Sequence, residues 1–101
     1  MNLLKLNILF CLILSMNTYA QSVGNGKKLY QKCIQCHGAD GMGNQAEKAP
    51  RIAGQHDWYI KTQLNAFKIK KRHNPKMYPF IKDLTASDYE DLAAYVGQLK
   101  K

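Results

Sequence analysis

Cys33, Ile34, Gln35, Cys36 and His37 put two thiols and an imidazole into one short run. These side chains bind soft metals or form covalent thioethers, and their spacing narrows the choice. Two thiols three positions apart, at the end of a helical turn, reach the two vinyl groups on one edge of a porphyrin. The next side chain, His37, then lies beneath the ring where it can ligate iron. A Cys-x-x-Cys-His run is accordingly an attachment site for c-type haem. Three other chemistries use the same residue types. A closed zinc site needs four protein ligands, and His56 and His73 complete one on paper, at a spacing that fits no common zinc pattern. A thioredoxin-like redox pair wants a βαβ context. A plain disulfide is open to any exported protein.

A haem iron held by His37 has a second axial position, for which the residues offer Met42, Met77, His56, His73 or an open site. Met42 follows the motif too closely to cross to the far face of the ring. Met77 lies far along the chain, in an irregular stretch stiffened by Pro75 and Pro79. Such a stretch can bend over the distal face, although a methionine can equally serve as core filler. His73 is the rival ligand. A thioether raises the reduction potential by favouring the reduced iron, whereas two histidines lower it. The loop position favours Met77, with His73 still open.

The elements that must position these groups are helices. A first helix is expected over about Gly24 to Cys33, with Leu29 and Tyr30 inward. Residues 38–54 contain Gly38, Gly41, Gly43, Pro50 and Gly54 and read as an extended loop. A second helix starts near Asp57, a plausible N-cap, and runs to about Lys70, with Tyr59, Ile60, Gln63, Leu64 and Phe67 on one face. Asn74-Pro75 and Tyr78-Pro79 then break the chain. A third helix follows Thr85, where Thr85 to Asp88 has the form of a capping box with aspartate in the glutamate position. Leu92, Tyr95, Val96 and Leu99 form its apolar stripe. No alternating run argues for a sheet, so the expected fold class is all-α, three to four helices with two long loops. Loops of that length in a small domain suggest that they wrap a ligand.

The 101 residues allow one domain at most. Met1 to Lys5, the apolar run Leu6 to Leu14 and the small residues before Gln21 have the layout of a secretory signal cleaved after about Ala20. The expected domain is therefore 21–101, in the periplasm, with no stable membrane span. Cys11 falls in the discarded segment. A domain this short buries a small core and usually needs a disulfide, a metal or a large cofactor. Its adjacent cysteine pair closes no useful loop, which again favours a bound group. Net charge is +8, from fifteen Lys and Arg against seven Asp and Glu. A basic balance suits nucleic acid, anionic membrane or acidic proteins, and export excludes nucleic acid. Lys68, Lys70, Lys71, Arg72 and Lys76 cluster before Met77. They read either as a solvated helix end or as a docking rim that steers acidic partners. Trp58 reads as partly buried core or as a neighbour of a haem propionate, and His56 and His73 as surface residues.

With these residues in view, the chain resembles the class I c-type cytochromes, in particular the short bacterial monohaem forms and one half of the dihaem periplasmic forms. The resemblance covers nearly all of residues 21–101. Gly26-Lys27-Lys28-Leu29-Tyr30 resembles the family's first helix, whose glycine and aromatic pack on the last helix. Asp91-Leu92-Ala93-Ala94-Tyr95 resembles that last helix, with Leu92 and Tyr95 as receiving positions. Pro50-Arg51-Ile52-Ala53-Gly54-Gln55 resembles the stretch whose proline carbonyl accepts a hydrogen bond from the proximal histidine, which implies that Pro50 orients His37. Residues 72–84 resemble the segment that delivers the axial methionine, here Met77. Lys70 departs from the pattern, because the family often has glycine just after the second helix. A lysine there must strain the backbone or extend the helix.

The resemblance implies a cytochrome c-like fold around one haem c, attached through Cys33 and Cys36, with His37 and Met77 on the iron. It implies a one-electron carrier rather than an enzyme. The expected form is a monomer, and the expected partners are membrane respiratory complexes, a terminal oxidase or periplasmic dehydrogenases. Two other functions remain open: a cytochrome subunit of a periplasmic oxidoreductase, and a haem-based gas sensor.

Overall fold

The computed structural model describes residues 21–99; the expected signal segment and its cleavage point lie outside them. Five helical segments follow in order: α1 (Val23–Tyr30), α2 (Ile34–His37), α3 (Asp57–Lys68), α4 (Tyr78–Ile81) and α5 (Ala86–Gln98). Among the described residues the only extended pairing is an isolated antiparallel bridge between Asn44 and Ala49. None of these helices is long and apolar enough to cross a membrane.

The expected first helix is two pieces. Ser22 caps α1, its hydroxyl accepting from the Asn25 amide at 3.1 Å. The helix then stops at Tyr30, and the chain turns through Gln31 to Cys33 before re-entering one helical turn at Ile34. The attachment run thus occupies its own short segment, held by the Cys33 amide on the Tyr30 carbonyl at 2.8 Å.

At α3 the expected cap shifts by one residue. His56 holds the N-cap position without a side-chain bond, and Asp57 sits in the first turn. There its carboxylate accepts from the Trp58 amide at 2.7 Å, a place where negative charge meets the positive end of the helix dipole. The capping box at α5 forms as expected. Thr85 accepts from the Asp88 amide at 3.0 Å, and Asp88 accepts from the Thr85 amide at 3.1 Å. That backbone bond from Thr85 chiefly holds the Asp88 carboxyl below its usual pKa range.

α1 and α5 cross at Gly26. A Cβ built there would lie 2.1 Å from the Asp91 carbonyl oxygen and 2.8 Å from the Tyr95 Cβ. No other residue permits that separation, because any side chain would sit inside the backbone of α5. The crossing continues at Tyr30, whose ring centroid lies 5.5 Å from that of Tyr95. It also holds a polar lock with no obvious sequence signal. Asp91 is nearly fully buried and accepts from the Ser22 amide and the Asn25 side-chain amide, both at 2.8 Å. The buried carboxylate is therefore paired rather than stranded.

The core comprises Tyr30, Ile60, Leu64, Phe67, Ile81, Tyr89, Leu92, Ala93 and Val96. α4 joins it through Ile81 and through the Tyr89 hydroxyl, which donates to the Ile81 carbonyl at 2.6 Å. Burial is the first cause of a raised Tyr89 pKa, so that phenol stays a donor.

Lys70 takes the strained option. α3 ends at Lys68, and Lys70 lies in the left-handed region at φ +60°. That conformation costs a non-glycine residue about 1–2 kcal/mol. The Lys70 amide reaches the Phe67 carbonyl at 3.2 Å, closing the helix end. Its ammonium lies 4.9 Å from the Tyr78 ring centre, a contact that offsets roughly 0.5–1 kcal/mol at an exposed site. The helix therefore stops, and the chain turns toward Met77.

Candidate functional site

The site is built on two loops and the inner faces of α3 and α5. His37, at the end of α2, is buried, and its Nδ1 lies 2.9 Å from the Pro50 carbonyl oxygen. The carbonyl can only accept, so Nδ1 donates its proton and Nε2 is the ring nitrogen left for a metal. Pro50 is held in place by the fold of its loop. The Gly43 amide donates to the His37 carbonyl at 2.8 Å, and the Ile52 and Ala53 amides both donate to the Gly41 carbonyl. Gly43 adopts φ +86° with the Ala49 carbonyl and Arg51 amide 2.7 Å from where a Cβ would stand. Only glycine fits between the two arms of the loop.

His37, Cys33 and Cys36 face a cavity of about 290 Å³. Ile52, Ile60, Leu64, Phe67, Ile81, Leu92 and Val96 give it an apolar wall, with Met77 also lining it. The five residues expected on one face of the second helix, Tyr59, Ile60, Gln63, Leu64 and Phe67, all reach this cavity. Of the candidates for a second axial ligand, Met77 alone lines it. Met42 and His73 are exposed, His56 is exposed at the start of α3, and none of the three borders the cavity. Trp58 departs from the partly buried core expectation. It is 61% exposed, stacks on the His56 ring at 5.7 Å and does not line the cavity.

The surroundings of the donors argue against the other readings of the motif. Burial, helped by the neighbouring Cys36, pushes the Cys33 thiol up to about 11, whereas a reactive redox thiol needs the opposite shift. The cysteines are free rather than disulfide-bonded. Among the described residues no group of three or more His, Cys, Asp or Glu is placed to hold a metal ion. No βαβ unit surrounds the pair. An apolar slot lined by two thiols, an imidazole oriented through its Nδ1 and a thioether fits a haem c.

The basic cluster does more than decorate a helix end. Arg72 lies 4.6 Å from the Phe67 ring centre and donates to the Gln63 side chain at 2.7 Å. Lys68 donates to the Leu84 carbonyl at 3.1 Å. Lys76 pairs with Glu47 at 3.8 Å and, with Arg72, borders the cavity. These contacts fasten the stretch between α3 and α5, a role that charge counting alone does not reveal.

Comparison with known proteins agrees with this geometry. The family model for cytochrome c matches residues 23–100. A thiosulfate dehydrogenase electron acceptor from Thiomonas intermedia is 44% identical over 68 residues, covering 67% of this chain and 31% of that protein. Cytochrome c4 from Pseudomonas aeruginosa is 33% identical over 99 residues, covering 95% of this chain and 49% of the relative. The chain thus spans a third to a half of these relatives' lengths. Among solved structures, thiosulfate dehydrogenase from Marichromatium purpuratum superposes with a TM-score of 0.74 at 33% identity, covering 77% of this chain and 19% of that one. The helical fold, the apolar slot beside the attachment run and these matches converge on one assignment: the chain belongs to the cytochrome c family and is a class I domain for one covalently attached haem c.

Proposed function

We propose that this domain is an exported one-electron carrier whose haem is attached at Cys33 and Cys36, with His37 and Met77 as the axial ligands. The observation that carries the reading is the His37–Pro50 bond, which engages Nδ1 and leaves Nε2 for a metal beside a cavity that Met77 also lines. A bound haem c supplies a metal that cycles between ferric and ferrous states. The chain's part is to hold and insulate it. Pro50 fixes the tautomer and ring orientation of His37. Ile60, Leu64, Phe67 and Val96 exclude water, and a low-dielectric surround lets the axial ligands govern the potential. Met77 favours the reduced metal.

If His37 and Met77 both held the metal, no position would be left for a substrate, which supports a carrier over an enzyme. The compartment is the periplasm. The partners are redox proteins with acidic faces, attracted by the cations Arg72 and Lys76 at the cavity rim. Dehydrogenases are one class of donor, a suggestion supported by the relative named as an electron acceptor of thiosulfate dehydrogenase. A second reading, a cytochrome subunit or domain of an oxidoreductase, is favoured by the match to part of a thiosulfate dehydrogenase chain. A gas sensor needs a free or readily freed axial position.

Carbon monoxide added to the reduced protein separates carrier from sensor. The carrier reading expects no binding over minutes, together with an iron–thioether charge-transfer band in the oxidised protein. Rapid carbon monoxide binding, or absence of that band, contradicts it.

A further inference from the structure

The Met77 backbone is fixed by one side chain that the haem reading does not involve. Asn74 Oδ1 accepts from the Met77 amide at 3.1 Å and from the Lys76 amide at 3.0 Å. The convergence of two N–H donors identifies this atom as the oxygen rather than the amide nitrogen. The Asn74 main-chain carbonyl in turn accepts from the Tyr78 amide at 3.1 Å. Asn74 therefore caps the turn of residues 75–77, with Pro75 at its start where a missing N–H costs nothing. That turn leads into α4, whose own N-cap position is Met77.

The residues on either side of Met77 are also held from outside the turn. Lys76 reaches Glu47 of the preceding loop, and the Tyr78 ring lies under Lys70. Both contacts are exposed charge interactions and weak individually. The Asn74 cap is the part that acts on Met77 itself. Asn74 is half-buried and borders the same cavity.

We propose that Asn74 is the positioning residue for Met77: its side-chain carbonyl presets the turn that aims the thioether, and so governs how readily Met77 swings away. The inference rests on Met77 being the axial ligand. Without the cap two amide groups lose their partner, and the arm carrying Met77 opens more often. Each such bond is worth enough to change an opening equilibrium several-fold, so the pair is expected to change it about tenfold.

The test is the rate at which imidazole binds the oxidised holoprotein, which follows how often Met77 leaves. Asn74→Ala is expected to bind imidazole about tenfold faster than the parent protein. Asn74→Asp and Asn74→Ser keep an acceptor at the cap and are expected to restore the rate to within about twofold. A parent-like rate in Asn74→Ala overturns the proposal, as does failure of both capping variants to restore it. A purely structural role lowers the denaturation midpoint in Asn74→Ala without changing the imidazole rate. If Asn74→Ala does not mature, hydrogen exchange in the parent holoprotein decides: the Lys76 and Met77 amides are expected to be protected, and free exchange at both overturns the proposal. Absence of the thioether band in the parent removes the Met77 reading and this one together. A present band with an unchanged imidazole rate removes only the role of Asn74.

Discussion

Gly26→Ala is expected to destabilise the holoprotein by about 3 kcal/mol, read as a lower denaturant midpoint with an unchanged slope. The cause is confined to one atom. The added methyl would lie 2.1 Å from the Asp91 carbonyl oxygen and 2.8 Å from the Tyr95 Cβ. Neither neighbour is a flexible side-chain end, so relief requires α1 and α5 to move apart. That movement strains the lock of Asp91 on Ser22 and Asn25 and the packing of Tyr30 on Tyr95. Both helices flank the cavity, through Tyr30 on one side and Leu92 and Val96 on the other. Gly24→Ala is the control. A Cβ at Gly24 meets nothing within 4 Å, and alanine is the better helix former by up to about 1 kcal/mol, so no loss is expected. Equal loss in both variants would show that the crossing is not the reason for Gly26.

Met77→Ala is expected to lower the midpoint potential by on the order of hundreds of millivolts, within the roughly 0.8 V span that axial ligation controls. It is also expected to abolish the thioether charge-transfer band. The size follows from what the side chain contributes: a soft sulfur donor that favours the reduced metal, at a site shielded by Ile60, Leu64 and Phe67. His73→Ala is expected to leave both potential and band unchanged, because His73 is exposed and does not border the cavity. If the potential shifts in the His73 variant and stays unchanged in the Met77 variant, the ligand assignment is reversed.

Much of the site was legible because its chemistry depends on neighbours in sequence. Cys33, Cys36 and His37 are spaced by the attachment reaction itself, and the capping box at Thr85 is a local hydrogen-bond pattern that forms as written. The apolar face of α3 followed from helical period, and all of its expected residues reach the cavity. The resemblance placed Gly26 at a helix crossing, but the receiving contact is the Asp91 backbone as well as Tyr95. The misses are local competitions or contacts between distant residues. The first helix breaks at Tyr30 because the attachment segment closes its own turn. Asp57 yielded the cap position to His56 because its carboxylate bonds within the first turn instead. The burial of Asp91 depends on Ser22 and Asn25, which are remote in sequence. Asn74-Pro75 did carry a legible signal, a capping residue before proline, although it read first as a chain break. Lys70 shows the opposite case. Its departure from the family glycine implied either strain or a longer helix, and the structure takes the strain, at φ +60°.

The central claim is that Cys33 and Cys36 hold one haem covalently. The most direct measurement is the intact mass of the denatured holoprotein, made in a host that carries out c-type haem attachment. The account predicts the polypeptide mass plus one haem, with the haem absorbance remaining on the protein after acid–acetone extraction. A polypeptide mass without haem, or haem that extracts freely, contradicts it.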